Sequence, residues 1–223
     1  MMLDYKDTTI IIPVKDEPYA EEVIDSIERS LKGSKIILIY AGKLYIKKKH
    51  SNLEIIKQIG FGKGSACIQA MKKVKTKITC FIDGDKTYNV NDLKKLINEI
   101  RNGADMAIGN RFAKMEKDAM PKYVIFGNNI LTALENILYG LNIKDSQTGL
   151  RAFKTEIFEK LNIQEQEFGI ESEMNIKAKK MNYKIVEIPI FYYPRKSNDK
   201  PKHFKPLGGF KLLFITFKYL FKK

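Results

Sequence analysis

The sequence predicts an α/β fold in which a mostly parallel central sheet is flanked by helices. Two observations predict it. Short apolar runs of strand length alternate with stretches of helical periodicity over the first hundred or so residues, and such alternation is typical of a parallel sheet with helices on both faces. Polar residues directly follow several of the apolar runs. Because ligands of such sheets bind beyond the carboxyl ends of the strands, we expect the functional site at that edge.

Local patterns justify each element in turn. The first run, TTIIIPV, is β-branched and of buried-strand length, and Pro13 halts it. Pro18 then begins a helical pattern that Gly33 ends. Strands are predicted over residues 8–14, 35–40, 78–82, 105–108 and 184–193. Helices are predicted over residues 63–74, 91–100, 128–141 and 171–181, and a last apolar segment covers residues 208–221.

The composition narrows the class of protein. The 223 residues include 40 Lys or Arg and 26 Asp or Glu, which gives a formal net charge of +14. This charge favours anionic partners such as nucleic acid, acidic lipid or phosphorylated substrates, although a lysine-rich composition can also be a genomic habit. Cys67 and Cys80 lie in apolar stretches and are predicted to be buried free thiols. With two histidines in the chain, a histidine-based zinc site is not expected.

The motif Asp83-Gly84-Asp85 directly follows the apolar run ITCFI. A tight glycine turn can bring both carboxylates to one hard divalent cation, and Mg²⁺ and Mn²⁺ accept such oxygen ligands beside substrate phosphates. A cation held there would neutralise charge that develops on a leaving diphosphate. Acidic turns also follow strands without binding metal, but the position at the end of a buried strand favours a metal site.

A second motif, Gly60-Phe61-Gly62-Lys63-Gly64-Ser65, precedes a predicted helix. Backbone N–H groups at a helix start suit phosphate, and Lys63 is a candidate ligand of a donor phosphate. The motif lacks the spacing of a P-loop or of a dinucleotide fingerprint. A flexible entry into the helix is the alternative interpretation.

Taken together, six segments resemble one family. They are IIIPVKDEP, GFGKGSA, FIDGD, AIGNRF, DSQTGLRAF and EIPIFYYPR. Their order and spacing resemble glycosyltransferase family 2, nearest to its dolichyl-phosphate mannosyltransferase and polyprenyl-phosphate glucosyltransferase branch, from about Thr8 to about Leu213. The resemblance implies a GT-A fold, Mg²⁺ or Mn²⁺, a GDP- or UDP-linked sugar donor and a polyprenyl or dolichyl phosphate acceptor. It implies inverting transfer of a hexose, with mannose or glucose as the sugar.

The resemblance also assigns residues to the donor. Pro13, Asp16 and Glu17 match the donor-binding loop after the first strand. Arg195 matches an arginine in a loop that closes over the donor, and Lys202 is the best match by spacing to a lysine that faces the donor phosphates.

Metal and acceptor contacts follow in the same way. Asp83 and Asp85 match the family's metal-binding pair. Arg111 and Arg151 match arginines associated with the acceptor phosphate, which agrees with the bidentate way in which a guanidinium binds phosphate, although a surface ion pair is the alternative. Because a phosphate acceptor is already ionised near neutral pH, we expect Asp145 to position Arg151 or the acceptor rather than to remove a proton.

The chain departs from the family pattern at two places. Where members carry Asp-Asp-Gly-Ser after the second strand, this chain has Ala41-Gly42-Lys43. The first of those acids helps to hold the nucleobase, so the resemblance does not assign the base here. Thr87 stands where the family tends to carry Gln, and we include its oxygen as a third candidate metal ligand.

The C-terminal segment raises the question of a membrane. We expect a GT-A domain over residues 1–207 and an amphipathic helix over 208–223. Its apolar part is too short to span a bilayer and contains Lys211 and Lys218, so it could lie in the headgroup region or pack on the core. We expect a peripheral protein on the cytoplasmic face of a membrane, with no signal peptide and no transmembrane helix. A membrane partner subunit is left open.

Other classes of protein compete with this interpretation. A nucleotidyltransferase would share the sheet and the metal, but it would usually carry a glycine-rich signature directly after the first strand, where this chain has KDEP. A non-catalytic nucleotide-sugar-binding homologue, or a transferase with a soluble or other lipid acceptor, is a further alternative. A nucleic-acid-binding module would rest on charge alone, because the basic residues are spread along the chain, and no nucleic-acid partner is expected.

Overall fold

Strands and helices alternate along the chain in the computed structural model, which describes residues 4–196 and 206–220. The strands are β1 (Thr8–Lys15), β2 (Lys35–Ala41), β3 (Leu53–Lys57), β4 (Ile78–Phe81), β5 (Met106–Met115), β6 (Arg151–Lys154) and β7 (Ile185–Tyr192). The helices are α1 (Ala20–Ser30), α2 (Gly62–Met71), α3 (Val90–Arg101), α4 (Lys122–Tyr139), α5 (Thr155–Leu161), α6 (Ile170–Lys180) and α7 (Pro206–Lys218).

One sheet joins these strands in the order β3-β2-β1-β4-β6-β5-β7. Every pairing is parallel except the two made by β6, which runs antiparallel to β4 and to β5. The prediction of a mostly parallel α/β sheet is therefore confirmed. The reversed strand has a consequence for the site, because the turn that precedes β6 reaches the edge where the parallel strands end.

The core lies on both faces of the sheet. Ile10 and Ile12 of β1 belong to one buried cluster and Ile11 to the other, as the alternation of side chains along a strand requires. Helices α1 and α3 cover the first face, and α2, α5 and α6 cover the second. Burial on both sides explains why this strand reads as a continuous apolar run. Cys67 and Cys80 are buried free thiols, as predicted.

Three elements were not predicted, namely β3, β6 and α5. The side chains of β3 are half-buried or exposed, so an edge strand of this kind carries little apolar signal. The other two, β6 and α5, are short and follow each other directly. The fifth strand is longer than the predicted 105–108, because β5 continues through Arg111 with a register shift between Asn110 and Lys114.

The C-terminal helix α7 packs on the core through one side. Ile215 and Tyr219 are buried against Ile176 of α6, and the hydroxyl of Tyr139 in α4 donates to the carbonyl of Thr216. The predicted boundary between residues 207 and 208 falls inside the first turn of this helix. None of the helices described is both long and apolar enough to cross a membrane.

Candidate functional site

A cleft of ≈ 400 Å³ lies at the carboxyl edge of the parallel strands. Eight of the predicted site residues line it: Pro13, Glu17, Lys63, Asp83, Asp85, Thr87, Arg111 and Arg195. Three others, Asp16, Asp145 and Arg151, are not part of its lining. Lys202 lies outside the residues that the structure describes. Most of the predicted side chains therefore meet at this edge of the sheet.

The turn after β4 presents the two carboxylates of the Asp83-Gly84-Asp85 motif. Its glycine is required by close packing, because a Cβ on Gly84 would lie 2.5 Å from Cγ1 of Val14. The hydroxyl of Thr87 donates to Oδ1 of Asp85 over 2.6 Å, and the Thr87 N–H donates to the same oxygen over 3.2 Å. Thr87 therefore holds Asp85 in place, and a contact of its oxygen with a metal stays a prediction.

The chemistry of this pair fits a hard divalent cation. Burial and the neighbouring charge of Asp83 both raise the pKa of Asp85, because two carboxylates so close to each other resist ionising together. A cation between them would remove that repulsion, and carboxylate oxygens are the ligands that Mg²⁺ and Mn²⁺ take in proteins. Asp83 and Asp85 are the residues that would hold it.

A second group of ligand-type side chains lies on α1 and the loop after β2. Oxygen or nitrogen atoms of Asp25, Glu28 and His50 lie within 4.8 Å of one another. Existing contacts account for this cluster, because Lys48 is 2.8 Å from Asp25 and His50 Nδ1 is 2.9 Å from Glu28. None of these residues lines the cleft, so we assign no cation to them.

The start of α2 differs from the prediction. The N–H groups of Gly64 and Ser65 donate to the carbonyls of Glu167 and Gln166, over 3.1 and 2.8 Å. These two N–H groups are therefore used by the chain itself and are not available to a phosphate. Four residues of this motif line the cleft, namely Gly60, Phe61, Gly62 and Lys63. The pKa of Lys63 is raised: burial opposes its charge, but Asp83 and Glu171 outweigh that effect.

Arg111, which lines the cleft, forms a buried pair with Asp145, which lies behind it. Nε and Nη2 of Arg111 donate to the two oxygens of Asp145, each over 2.7 Å, and the Arg111 backbone N–H donates over 3.0 Å. Asp145 is fully buried and is itself held by Glu187, which accepts hydrogen bonds from the Lys144 and Asp145 backbone. Its hydrogen-bond partner is therefore Arg111 and not Arg151, which was one of the two alternatives that we expected Asp145 to position.

Arg151 lies beneath the cleft, and 1% of it is exposed. It donates to the carbonyl of Thr148 over 2.8 Å and to Oδ1 of Asn175 over 3.3 Å. Burial lowers its pKa, and its Nε has no hydrogen-bond partner among the described residues. In this position the guanidinium supports the turn before β6, and it does not present itself to an acceptor in the cleft.

Asp16 closes the turn after β2. Its carboxylate accepts a hydrogen bond from the Lys43 N–H over 2.7 Å, and a Cβ on Gly42 would collide with it. Asp16 itself has a φ of 48°, which lies in the left-handed region that aspartate tolerates better than most residues. This carboxylate therefore organises the loop where the family carries its acidic pair, rather than lining the cleft.

Several lining residues were not predicted. Glu171, in the first turn of α6, binds Lys63, and the Gly149 N–H donates to the Tyr88 hydroxyl over 2.8 Å. The start of α4 adds an apolar wall through Met120, Pro121 and Val124. A glutamate in a helix and an apolar helix start carry no local signal of a site, because their roles depend on what the fold brings beside them.

Comparison with known sequences finds a matching family model and several relatives. A family model described as Glycosyl transferase family 2 matches residues 9–162. Glycosyltransferase AglJ of Haloferax volcanii is 34% identical over 142 residues, which are 63% of this chain and 47% of that protein. Dolichyl-phosphate hexose transferase of the same organism is 30% identical over 146 residues, 66% of this chain and 63% of that protein. The chain thus spans 47% and 63% of these two relatives.

A solved structure extends the likeness over nearly the whole chain. Glucosyl-3-phosphoglycerate synthase from Mycobacterium tuberculosis, solved with Mn²⁺, UDP and phosphoglyceric acid, superposes with a TM-score of 0.71 at 13% identity. The match covers 96% of this chain and 78% of that one. It confirms the GT-A fold. Because the family model covers well over half of the sequence, this chain belongs to glycosyl transferase family 2.

Proposed function

We propose that this protein transfers a hexose, mannose or glucose, from a GDP- or UDP-linked donor to a polyprenyl or dolichyl phosphate, with a divalent cation and with inversion at the sugar. One observation carries the proposal: a single cleft holds both the Asp83–Asp85 pair and Arg111, which Asp145 orients. The Asp83–Asp85 pair suits a metal-bound diphosphate, and Arg111 suits a phosphate nucleophile. The name of one relative, dolichyl-phosphate hexose transferase, supports this acceptor.

The proposed mechanism of transfer follows from the positions of the charged side chains in the cleft. A bound Mg²⁺ or Mn²⁺ would neutralise the charge of the leaving diphosphate. Lys63 and Arg195, which both line the cleft, bind the diphosphate oxygens, and Glu17 holds Arg195 over 2.8 Å. Arg111 binds the acceptor phosphate through the part of its guanidinium that Asp145 leaves uncovered. An acceptor phosphate oxygen then forms a bond to the anomeric carbon as the bond from that carbon to the diphosphate breaks.

This course requires no general base. A phosphate monoester is ionised near neutral pH, so the attacking oxygen carries no proton that must be removed. Asp145 accepts three hydrogen bonds from Arg111 and acts as a positioning residue. Catalysis then depends on orientation and on stabilisation of charge in a site with little water.

The apolar wall of the cleft favours a lipid acceptor. Met120, Pro121 and Val124 line it at the start of α4, and Leu212 lines it from α7. The same two helices carry exposed large apolar residues: Tyr123, Phe126, Ile130 and Ile137 on α4, and Phe214 and Phe217 on α7. Such a patch, beside lysines and a net charge of +14, fits the interfacial region of an anionic membrane. We therefore propose peripheral attachment on the cytoplasmic face.

Transfer of label tests the proposal. Purified protein is incubated with Mn²⁺ or Mg²⁺, a panel of labelled GDP- and UDP-sugars, and dolichyl phosphate in detergent, with Asp85→Asn as a control. We expect label in the lipid fraction that depends on both the metal and Asp85. Transfer to a soluble phosphorylated acceptor in a parallel arm, without transfer to lipid, would replace the lipid acceptor by a soluble one. Absence of transfer to either acceptor would overturn the proposal, whether or not the donor binds.

A further inference from the structure

Lys63 bridges two carboxylates in the cleft. Its ammonium nitrogen is 2.6 Å from Oδ1 of Asp83 and 2.9 Å from Oε1 of Glu171. Lys63 and Glu171 are well buried, with 13% and 8% of their side chains exposed, whereas 30% of the Asp83 side chain is exposed. The turn before β6 packs closely on this bridge, because a Cβ on Gly149 would lie 2.8 Å from the ammonium nitrogen.

Arg195 makes a bridge of the same kind on the other carboxylate. Its Nη2 is 2.8 Å from Oε2 of Glu17 and 3.6 Å from Oδ2 of Asp85. Burial opposes the charge of this guanidinium, but Asp85 and Glu17 outweigh it and raise the pKa of Arg195. Each carboxylate of the motif therefore faces one basic side chain, and each basic side chain is also held by an outer glutamate.

The two bridges supply the charge that a divalent cation would supply. Two unit positive charges beside the carboxylates equal the charge of one Mg²⁺ or Mn²⁺. A cation and the Lys63 ammonium would repel each other strongly at the same carboxylate in a partly dry site, so they compete for it. A diphosphate that arrives with the cation offers the two basic side chains a new anionic partner at the same moment.

We propose that Lys63 and Arg195 are internal counter-ions of the Asp83–Asp85 pair, and that they move onto the donor diphosphate when the cation takes their place. Glu171 and Glu17 are positioning residues that keep both side chains in the cleft during this exchange. The inference rests on the proposed function, because it needs the same cation and nucleotide. It adds that metal alone binds weakly, and that nucleotide and metal bind cooperatively.

The backbone positions of Lys63 and its two partners indicate which of its contacts is kept when the cation binds. Lys63 and Glu171 lie in the first turns of α2 and α6, and the N–H of Gly64 ties the start of α2 to the carbonyl of Glu167 just before α6. Asp83 lies in the loop after β4. The Lys63–Glu171 contact therefore persists as a unit, while the contact with Asp83 is the one that the cation replaces.

Binding of Mn²⁺ to the whole chain, measured by the electron paramagnetic resonance signal of free Mn²⁺, tests the inference. Because Lys63→Met removes a competing ion pair, we expect about tenfold tighter binding of Mn²⁺ alone. The gain in Mn²⁺ affinity on adding UDP or GDP should shrink in this variant. Glu171→Gln should leave Mn²⁺ binding alone no tighter than in the wild type but should weaken nucleotide binding. Lys73→Met is the matched control, since this exposed lysine contacts Glu54, and neither quantity should change.

Equal Mn²⁺ affinity in the wild type and in folded Lys63→Met would overturn the inference, as would an unchanged nucleotide effect in both variants. Thermal unfolding establishes that the variants are folded. If Lys63→Met does not fold, unchanged nucleotide binding in Glu171→Gln overturns the inference by itself. Failure of the proposed function is seen separately in the wild type, as absence of label transfer with intact Mn²⁺ and nucleotide binding.

Discussion

The guanidinium of Arg111 donates two hydrogen bonds of 2.7 Å to the carboxylate of Asp145, and the Arg111 backbone N–H donates a third of 3.0 Å to the same carboxylate. The carboxylate of Asp145 balances the positive charge of Arg111 and fixes the plane of its guanidinium. Although burial opposes the charge of Arg111, Asp145 outweighs that effect and raises the pKa of Arg111. An anion that enters the cleft therefore meets an oriented cation instead of a mobile one.

Replacing Arg111 by Lys should separate acceptor binding from donor binding. A lysine cannot make the bidentate contact with Asp145, so we expect kcat/KM for dolichyl phosphate to fall at least about a hundredfold, since the loss of an oriented donor costs roughly 3 kcal/mol. Binding of nucleotide with Mn²⁺ should stay within about twofold of the wild type. Titration calorimetry and steady-state kinetics provide the two measurements. An equal loss of donor binding would contradict this assignment.

Replacing Asp145 by Asn tests whether it acts through its partner. The amide cannot balance the buried charge, and breaking a buried ion pair costs about 3–5 kcal/mol of stability. We expect a lower melting temperature together with reduced transfer, and no change in the shape of the pH–rate profile between pH 6 and 9. Loss of a titrating limb from that profile would instead indicate a general base. Comparison of the two pH profiles at a temperature well below both melting points decides between them.

Glu135 gives the stability of the fold a dependence on pH. It is fully buried in α4, accepts a hydrogen bond from the Ser172 hydroxyl over 2.6 Å, and burial raises its pKa from 4.5 to about 7. A raised carboxyl pKa favours folding below pH 4.5, and this contribution is lost as the pH rises through about 7. Relative to Glu135→Gln, the wild type should therefore lose up to about 3 kcal/mol of unfolding free energy between pH 4.5 and 8.

Urea unfolding at several pH values measures this difference. The control variant Glu159→Gln, at an exposed position of α5, should follow the wild-type curve. Parallel pH dependences for the wild type and Glu135→Gln would show that this carboxyl does not titrate as its burial implies.

Gly149 should be intolerant of a side chain for a local reason. A Cβ there would lie 2.5 Å from Oδ2 of Asp83 and 2.8 Å from Nζ of Lys63. We therefore expect Gly149→Ala to displace both side chains and to weaken Mn²⁺ binding in the presence of UDP or GDP about tenfold or more, a cost of ~1–2 kcal/mol. A melting temperature close to that of the wild type would localise the effect to the site. Unchanged Mn²⁺ binding would show that the turn moves away without cost.

The exposed aromatic residues of α7 should control attachment to membranes. Phe214 and Phe217 are 69% and 46% exposed, so Phe214→Ser and Phe217→Ser together should reduce binding to anionic vesicles at least about tenfold, given the apolar area removed. Ile55→Ser is the matched control on the edge strand β3, where 41% of Ile55 is exposed. Cosedimentation with vesicles measures binding, and equal losses in control and test variants would contradict a specific membrane face.

Local sequence signals predicted those parts of the fold that are stabilised locally. The strand that contains Ile11 is apolar on both faces, and the turn at Asp83 directly follows a buried run. Adjacent residues in the sequence were therefore enough to predict this strand and this turn. The role of Glu171 could not be predicted in this way, because its partner lies about a hundred residues away in the chain. The hydrogen-bond partner of Asp145 could not be predicted for another reason. The motifs that contain Arg111 and Arg151 do not tell the two arginines apart, and the register of the sheet brings Arg111 to Asp145.

The edge strand and the reversed strand were missed for different reasons. The side chains of β3 are too exposed to give an apolar pattern. The reversed strand β6 has four residues, and its place between β4 and β5 depends on pairing with strands that are distant in sequence.

The orientation of β6 has a consequence for how this scaffold can diversify. Its four residues pair with β4, which leads into Asp83, and with β5, which contains Arg111. The half of the sheet that ends at Asp83 and the half that contains Arg111 are thus separate stretches of polypeptide, joined along one short seam. If the proposed function holds, substitutions on the Arg111 side can alter which acceptor binds while the strands beneath the donor keep their hydrogen bonds. A change in the turn that precedes β6, in contrast, affects both halves of the sheet.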